Sequence, residues 1–552
     1  MTTERHAETA PAPSRRDWAA LAVLSFGLGL IVLDGTIVGV ALPAIIGDLG
    51  LDITDAQWVN SIYAVLLAAL LLSTGKLADR WGRKRLFIAG VAVFVGGSML
   101  AAAAGGAGAL IAARAVQAVG AALIMPSTLS TVNTVFRGTH RAAAFGVWGA
   151  VISGAAAIGP LAGGALTQWL SWHWIFLVNL PLGVLVIVAA AIVVPETRGG
   201  AQRVGADVDG ALLSAIGFGA LVFAVVEGPE LGWWRQHTDL VIFGWVWPAH
   251  GPVSVVPLAF GVAAVAICLF VVWERHRERV RRSALLDLEL FSFPTFSWGN
   301  LTAAMVAVGE FAIIFVLPLF LINALGLSIM AAGLVLAAMA VGAFLSGASA
   351  RHLAARYGAP GTVLIGLGLE VVGVLALSAA VTPQTPAWLI ALPLAVYGLG
   401  LGLASAQLTG TVLRDIPAAA SGQASATQST VRQIGSALGT AFGGATLSAA
   451  LAVTLPSSLA SAGLPGGTAG ELAEAALQSA GTSIAALREQ GDASALGEHT
   501  AAAVRALTVG FADATRVAFL VATCFLVLGL IGAFRLRAHS SEARRTAGAD
   551  LP

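Results

Sequence analysis

Apolar runs long enough to cross a bilayer recur fourteen times along the 552 residues of this chain. They centre near Leu30, Leu66, Val95, Ala121, Ile152, Val186, Gly217, Val265, Ile313, Met339, Leu369, Ala395, Gly435 and Phe525. A hydrocarbon core of roughly 30 Å requires about twenty such residues of a helix. In lipid no water serves the backbone polar groups, so spans of this length must be helical. The expected fold is therefore an all-α integral membrane protein with fourteen transmembrane helices, numbered here as spans 1–14. The chain is 57% hydrophobic and 11% charged, against roughly 25% charged for an ordinary soluble domain. That composition excludes a soluble enzyme.

Three stretches interrupt the pattern. Trp233 to Pro252 reads as a loop or as an interfacial helix rich in Trp, which makes spans 7 and 8 the least regular. Residues 457–512 are Ala-, Ser-, Gly- and Glu-rich, too polar to span, and are expected to form a long, partly helical outer loop without chemistry. Residues 1–17 form a polar tail containing Arg15 and Arg16. The run that follows is too long for a signal-peptide core and lacks a cleavage site, so it is span 1. Cys268 and Cys524 lie in apolar runs without a CxxC partner and read as small buried hydrophobes.

Charge orients the spans. The segment GKLADRWGRKR, Gly75 to Arg85, packs five cations (Lys76, Arg80, Arg83, Lys84, Arg85) between spans 2 and 3. With the N-terminus in the cytoplasm, most of the 30 Lys and Arg residues fall on alternate, cytoplasmic loops, as the positive-inside rule demands. Arg235, Arg488, Arg505 and Arg516 fall on the other side, and Arg114 and Arg432 lie within spans. Both termini are thus expected in the cytoplasm. The cations come in short clusters between apolar runs, which does not suit nucleic acid, and no GxxxxGK[ST] motif is present to bind ATP.

The chain also echoes itself. LADRWG (Leu77 to Gly82) returns as LAARYG (Leu353 to Gly358), an offset of 276 residues. The same offset lays Ala142 to Leu166 on Ala418 to Phe442, matching Ile158 with Ile434, Gly159 with Gly435 and Gly163 with Gly439. It relates spans 1–6 to spans 9–14 and leaves 7 and 8 inserted. A displacement of eight spans preserves topology, so the halves form two parallel six-helix repeats, an arrangement that secondary transporters use around a central site. The implied organisation is a bundle over 18–195, a two-helix insertion with linkers over 196–290, a bundle over 291–537, and a cytoplasmic tail over 538–552.

Five motifs in order resemble the major facilitator superfamily, in particular its fourteen-helix drug–proton antiporter branch. GKLADRWGRKR resembles the signature loop. ARAVQAVGAA (Ala113 to Ala122) resembles the span 4 motif, with Ala118 where Gly is usual. GAAAIGPLAGG (Gly154 to Gly164) resembles the antiporter motif of span 5. LDGTIVGVALP (Leu33 to Pro43) resembles the span 1 motif, with Gly39 where Asn is common. WHWIFLVNLPLG (Trp172 to Gly183) follows, with His173 in place of Arg.

The candidate site residues are intramembrane charges. Asp34 sits in the middle of span 1, where a carboxylate costs about 2.5–3.5 kcal/mol on insertion scales. Adding 276 to 34 reaches Glu310, in the middle of span 9. Two half-related carboxylates facing one cavity suit proton–cation exchange: neutral when protonated, attractive to a cationic substrate when ionised. A purely structural Asp34, bonded to helix backbones, is the alternative. Arg114 in span 4 needs an acidic or carbonyl partner; it either reaches Asp34 or snorkels to outer carbonyls. Arg432 has the same choice, and the facing of Glu227, Glu370 and His173 stays open. The resemblance implies a cytoplasmic latch formed by Gly75, Asp79, Arg80, Gly82 and Arg83, in which Asp79 meets the start of span 13 near Ser421. A helix N-terminus suits a carboxylate. In span 5, Gly154, Gly159, Gly163 and Gly164 permit close approach, and Pro160 removes a backbone hydrogen bond; generic membrane packing would use the same residues.

The expected function is a proton-coupled exporter of lipophilic or cationic drugs in the plasma membrane, working with small-molecule substrates, protons and the bilayer. No enzyme activity, cofactor or metal is expected. An exporter of one endogenous metabolite, such as a self-made antibiotic, and a non-transporting membrane receptor are the alternatives.

Overall fold

The computed structural model describes residues 13–136, 138–198, 207–242, 245–249, 251, 253–280, 282, 284–417, 420–462, 464 and 466–549. Helix starts are set by polar caps at the ends of the apolar runs. Ser14 and Asp17 cap each other's backbone at the start of α1 (Arg15–Leu49), which stops at Gly50 in the left-handed conformation. Asp52 caps α2 (Ile53–Trp81). Then come α3 (Arg83–Ala102), α4 (Ala107–Val135), α5 (Gly138–Trp169), the short α6 (His173–Leu177) and α7 (Asn179–Val193). Thus the sixth apolar run is broken at Val178, where the chain restarts on Asn179. Asp207 caps α8 (Val208–Leu231), and Ser254 caps α9 (Val255–Arg279). The second half comprises α10 (Pro294–Leu319, continued by a π turn to Ala324), α11 (Ile329–Tyr357), α12 (Ala359–Ala380), α13 (Ala387–Val412), α14 (Ser421–Ser461), α15 (Gly466–Gln478), α16 (Thr482–Gln490) and α17 (Thr500–Ala549). Among the described residues, thirteen helices are long and apolar enough to cross a membrane.

Two sequence expectations change here. Trp233 to Pro252 is neither plain loop nor interfacial helix: it holds a small antiparallel hairpin, β1 (Leu240–Ile242) with β2 (Trp245–Trp247), in the register Leu240 to Trp247. The alternating aromatic and β-branched residues favour that pairing. Cys268 and Cys524 are free but exposed rather than buried. They share their helix flanks with exposed Val265, Leu269 and Val272 on α9, and with exposed Leu520, Leu528 and Ile531 on α17. An apolar flank need not be buried in protein when lipid can cover it.

The polar stretch 457–512 is partly helical, as its composition implied, and holds two short helices that do not span. α14 runs on to Ser461, α15 and α16 fold as a cap, and α17 starts at Thr500. Asn323 Nδ2 donates to Ala480 O at 2.9 Å and Arg488 reaches Ala324 O, tying the cap to the end of α10.

In the first bundle, α1 packs on α5 and α7, α4 on α2 and α3, and α3 on α7. In the second, α10 packs on α14 and α17, α13 on α11 and α12, and α12 on α17. The bundles meet through α2 against α14 and α5 against α11, while α8 and α9 pack on each other and α8 lies against α2 and α14.

The apolar core is asymmetric along the helices. At the end where α1 gives way to α2, one continuous cluster joins Ile37, Ile45 and Ile53 of the first bundle to Ile313, Phe320, Leu451 and Phe519 of the second. At the end carrying GKLADRWGRKR, called the charged end below, each bundle keeps its own core: Leu24, Phe87 and Phe136 in one, Phe296, Leu367 and Leu408 in the other. Among the described residues the large apolar cluster shared by both bundles lies at the first of these ends, called the sealed end below; nearer the middle a smaller one joins Ala64 and Val65 of α2 to Ala437 and Ala441 of α14, and at the charged end Ala426 of α14 touches the first bundle's core.

Candidate functional site

Five helices of the first bundle converge on Asp34, which is 1% exposed. Arg114 Nη1 on α4 forms a short ion pair with Oδ2. Gln117 Nε2 on α4 and Asn179 Nδ2 on α7 donate to Oδ1 at 3.0 and 3.1 Å. Arg114 is held in turn by Val59 O on α2 at 3.2 Å and Gln117 Oε1 at 2.8 Å, and its guanidinium lies 4.4 Å from the Tyr63 ring centroid. Ser98 Oγ on α3 accepts from Gln117 at 2.8 Å and from Asn179 at 3.1 Å.

Local sequence explains the convergence. Arg114 and Gln117 are three residues apart and share a helix face. A Cβ at Gly97 would lie 2.7 Å from Gln117 N, so only glycine lets α3 and α4 close on this face. The break at Val178 sets Asn179 at the start of α7, facing the carboxylate. Of the two choices open to Arg114, the structure takes Asp34. Gln117 and Asn179 lay inside the motifs singled out above, but only the folded bundle assigns them a partner. Ser98 and Tyr63 gave no signal in the sequence.

In the second bundle Glu310, 7% exposed, pairs with Arg432 Nη2 on α14 at 3.4 Å. The Arg432 side chain is 52% exposed. Asp34 and Glu310 therefore do not share partners; each is claimed by a cation of its own bundle. The two pairs also differ in build. One is closed on all sides by amides and hydroxyls, whereas the other is longer and open on its cation. Glu370 on α12 and Tyr397 on α13 are also fully buried in this bundle.

The charged loop does more than mark topology. Asp79 accepts from Arg83 Nε at 2.9 Å, and Arg83 Nη1 donates to Ser130 O at 2.9 Å and to Thr134. Lys84 Nζ donates to Ala191 O at 2.6 Å and Arg16 Nη2 to Ile192 O at 3.0 Å, so both cations cap the last carbonyls of α7. Lys76 donates to Ala284 O beyond α9. Gly82 has φ +112°, and a Cβ there would lie 2.6 Å from Glu196 Oε1. Glu196, which the sequence did not single out, accepts from Lys84 N at 3.1 Å. Gly75 packs on Pro126, and Arg80 is exposed. α14 starts at Ser421 as expected, but the surroundings of Ser421 and Gly422 lie outside what is described, as does the expected contact with Asp79.

The glycines of α5 face two ways. A Cβ at Gly159 would collide with Thr36 Oγ1, and one at Gly163 would lie 2.9 Å from Ile37 O, both on α1. A Cβ at Gly164 would lie 3.2 Å from Met330 Cα on α11, and Pro160 O would lie 2.6 Å from a Cβ at Gly333. The motif is thus a three-helix seam at the sealed end, where Gln168 also accepts from Met330 N at 3.0 Å. Gly154 meets nothing within 4 Å. Elsewhere, Glu227 accepts from Trp58 Nε1 at 2.7 Å and His173 stacks on Trp172. Among the described residues no group of three or more His, Cys, Asp or Glu could hold a metal.

Two helical bundles sealed at one end by a glycine seam, with ion pairs sunk among membrane-length helices, have the build of a polytopic membrane transporter. The chain belongs to the Major Facilitator Superfamily, whose sequence pattern matches residues 24–440. It is 32% identical over 419 residues to the methylenomycin A resistance protein of Bacillus subtilis, covering 76% of this chain and 85% of that one. It is 33% identical over 425 residues to the multidrug efflux pump LfrA of Mycolicibacterium smegmatis (76% and 79%). It is 28% identical over 452 residues to the tetracenomycin C resistance and export protein of Streptomyces glaucescens (79% and 78%). Its fold is similar to that of a bacterial homologue of the human lysosomal transporter Spinster, solved in an inward-facing and occupied conformation. The TM-score is 0.62 at 18% identity, over 96% of this chain and 98% of that one.

Proposed function

We propose that this chain is a proton-coupled exporter of lipophilic or cationic small molecules in the cell membrane, with both termini cytoplasmic. The observation that carries the proposal is the carboxylate of Asp34, fully buried and bound by Arg114, Gln117 and Asn179. A charge placed so deep in a membrane bundle, with its counter-ion on a different helix, is expensive and marks an ion pathway. A proton arriving at Asp34 releases Arg114, and that change of partners is how protonation couples to helix movement.

The repeat is supported by the packing. Replacing α1, α2, α3, α4, α5 and α7 by α10, α11, α12, α13, α14 and α17 turns the main contacts within the first bundle (α1–α5, α1–α7, α2–α4, α3–α4 and α3–α7) into contacts within the second. It also exchanges α2–α14 with α11–α5, as a twofold axis along the membrane normal requires. With α5 counted beside the thirteen other spans, the transmembrane helices number fourteen, and α8–α9 are the insertion. Placing the charged end in the cytoplasm follows its cations. The bundles are then sealed outside and separately packed inside, an inward-facing arrangement.

The driving force is adequate. For an uncharged substrate exchanged for one proton, one charge crossing 100 mV is worth about 2.3 kcal/mol, a gradient of roughly fiftyfold. The test is substrate-stimulated dissipation of a pH gradient in inverted vesicles, screened over dyes and antibiotics. No proton movement with any compound would refute the proposal. A second reading, export of one self-made compound, has specific support. Among the relatives are the tetracenomycin C protein and, at 32% identity, a probable actinorhodin transporter of Streptomyces coelicolor. A response to a single compound in the same screen would favour it.

Two substitutions test parts of the mechanism. Glu310→Gln removes the negative charge beside half-exposed Arg432. Efflux of a monovalent cation should fall about tenfold, while an uncharged compound is still exported. Equal loss of both would show that Glu310 belongs to the proton path. Asp79→Asn leaves the cations in place, so expression and topology should stay normal. Transport should drop several-fold, because Arg83 loses its carboxylate partner and the cytoplasmic latch is weakened. Wild-type rates in that variant would reduce the loop to a topology signal.

A further inference from the structure

Glu370 belongs to no interaction described so far. It lies on α12 with 0% exposure, and among the described residues neither carboxyl oxygen has a hydrogen-bond partner. Tyr397 on α13, also 0% exposed, has a hydroxyl in the same condition. The two side chains share one seam. A Cβ at Gly400, one turn after Tyr397, would lie 2.9 Å from Glu370 Cγ, and a Cβ at Gly373, one turn after Glu370, would lie 2.9 Å from Tyr397 Cβ. The glycines draw α12 and α13 together around a carboxyl and a phenol. The other charged groups whose fields reach Glu370 are Glu310 on α10 and Arg432 on α14.

We propose that the Glu370–Tyr397 seam is a second proton site of the exporter, so that each cycle moves one proton on Asp34 and one on Glu370. A buried carboxylate without a donor or cation is not tolerated uncompensated. The compensating charge is a metal cation or the carboxyl's own proton. A hard metal cation takes several oxygen ligands, and this seam supplies one carboxyl and one phenol in tight packing, which leaves the proton. The cycle balances simply. A proton from the outer aqueous side binds a Glu370 oxygen, and the same proton leaves to cytoplasmic water when a cation approaches. Arg432 is that cation. Its pair with Glu310 is long, at 3.4 Å, and its side chain is half exposed, so it can turn to Glu370 when the cationic substrate takes its place beside Glu310. In the state described here Asp34 is paired with Arg114, while neither oxygen of Glu370 has a partner among the described residues.

This inference rests on the proposed proton-coupled export, and charge counting separates the two. Exchange of two protons for one monovalent cation moves a net charge, whereas exchange of one proton is electroneutral. The purified wild-type protein and Glu370→Gln are reconstituted in liposomes with a fluorescent monovalent cation as substrate, under a potassium diffusion potential without a pH gradient. The wild type should build a gradient about fiftyfold larger per 100 mV of potential. Glu370→Gln, isosteric with the protonated side chain, should lose that response and still be driven by a pH gradient. A full response to potential in Glu370→Gln overturns the proposal, because the carboxyl would then be a permanently neutral packing group. A measured ratio of one proton per monovalent cation in the wild type overturns it even if the variant fails to fold. A sodium requirement that Glu370→Gln abolishes would overturn the assignment to protons. Absence of any proton movement in the wild type would instead refute the broader proposal of proton coupling.

Discussion

Asp34→Asn is expected to abolish proton-driven efflux of every substrate, charged or not, and to lower thermal stability at the same time. The amide cannot cycle between neutral and ionised forms, so the release of Arg114 that moves the helices is lost, and the Glu370 site has no movement to couple to. It also places an NH2 donor among groups that are themselves donors: Arg114 on one side, Gln117 and Asn179 on the other. Arg114 is left as a buried cation without its counter-ion. Removing one partner of a buried pair costs about 3–5 kcal/mol. The two losses can be separated. Asp34→Asn combined with Arg114→Gln removes the stranded charge and should recover most of the thermal midpoint while restoring no coupling. Paired measurements of proton uptake and substrate efflux decide the matter. Coupling retained in Asp34→Asn would move the first proton site elsewhere, and coupling recovered in the double variant would make Asp34 a structural residue.

Gly159→Ala should be strongly damaging for a single added methyl group. The new Cβ has nowhere to go because Thr36 Oγ1 and Cβ occupy its place, and Thr36 is fixed by hydrogen bonds to Val32 O and Leu33 O, both at 3.1 Å. Overpacking typically costs about 1–3 kcal/mol, and here it also wedges α5 away from α1 at the sealed end. Transport and thermal midpoint should both fall clearly. Gly154→Ala, five residues earlier, meets open space and should be neutral. Thr36→Gly removes both colliding atoms and leaves Ile37 N as the next neighbour, at 3.5 Å. Adding it to Gly159→Ala should therefore recover part of the loss. If Gly159→Ala is as harmless as Gly154→Ala, the glycines of this motif are not what brings the helices together.

Much of this molecule is legible in its sequence alone. Hydropathy alone dictated helices, because a bilayer leaves an uninterrupted apolar run no other way to satisfy its backbone. The placement of cations implied an orientation, and the offset of 276 residues picked out Glu310 from Asp34. Length and charge also exposed Arg114 as a residue in need of a partner, since an arginine cannot lie in a span alone.

What the sequence could not decide were the partners, and the reason is geometric. Asp34, Tyr63, Ser98, Arg114, Gln117 and Asn179 are spread over 146 positions. No local spacing links them; they meet because α3 and α4 close on glycine contacts and the sixth run breaks at Val178. Arg432 looked equally free to choose until α14 set it beside Glu310. Composition misled at the two cysteines, where surroundings outweighed it. The cysteines face outward because lipid accepts an apolar flank as readily as protein does. The Ala- and Ser-rich stretch folds into a cap because the end of α10 offers it Asn323 and a free carbonyl. The sequence by itself determined the class of fold and the charges sunk within its apolar runs, because solvation acts on each segment alone. Which charge meets which, and which end is sealed, depended on helices far apart in the chain coming into contact, and only the tertiary structure holds that.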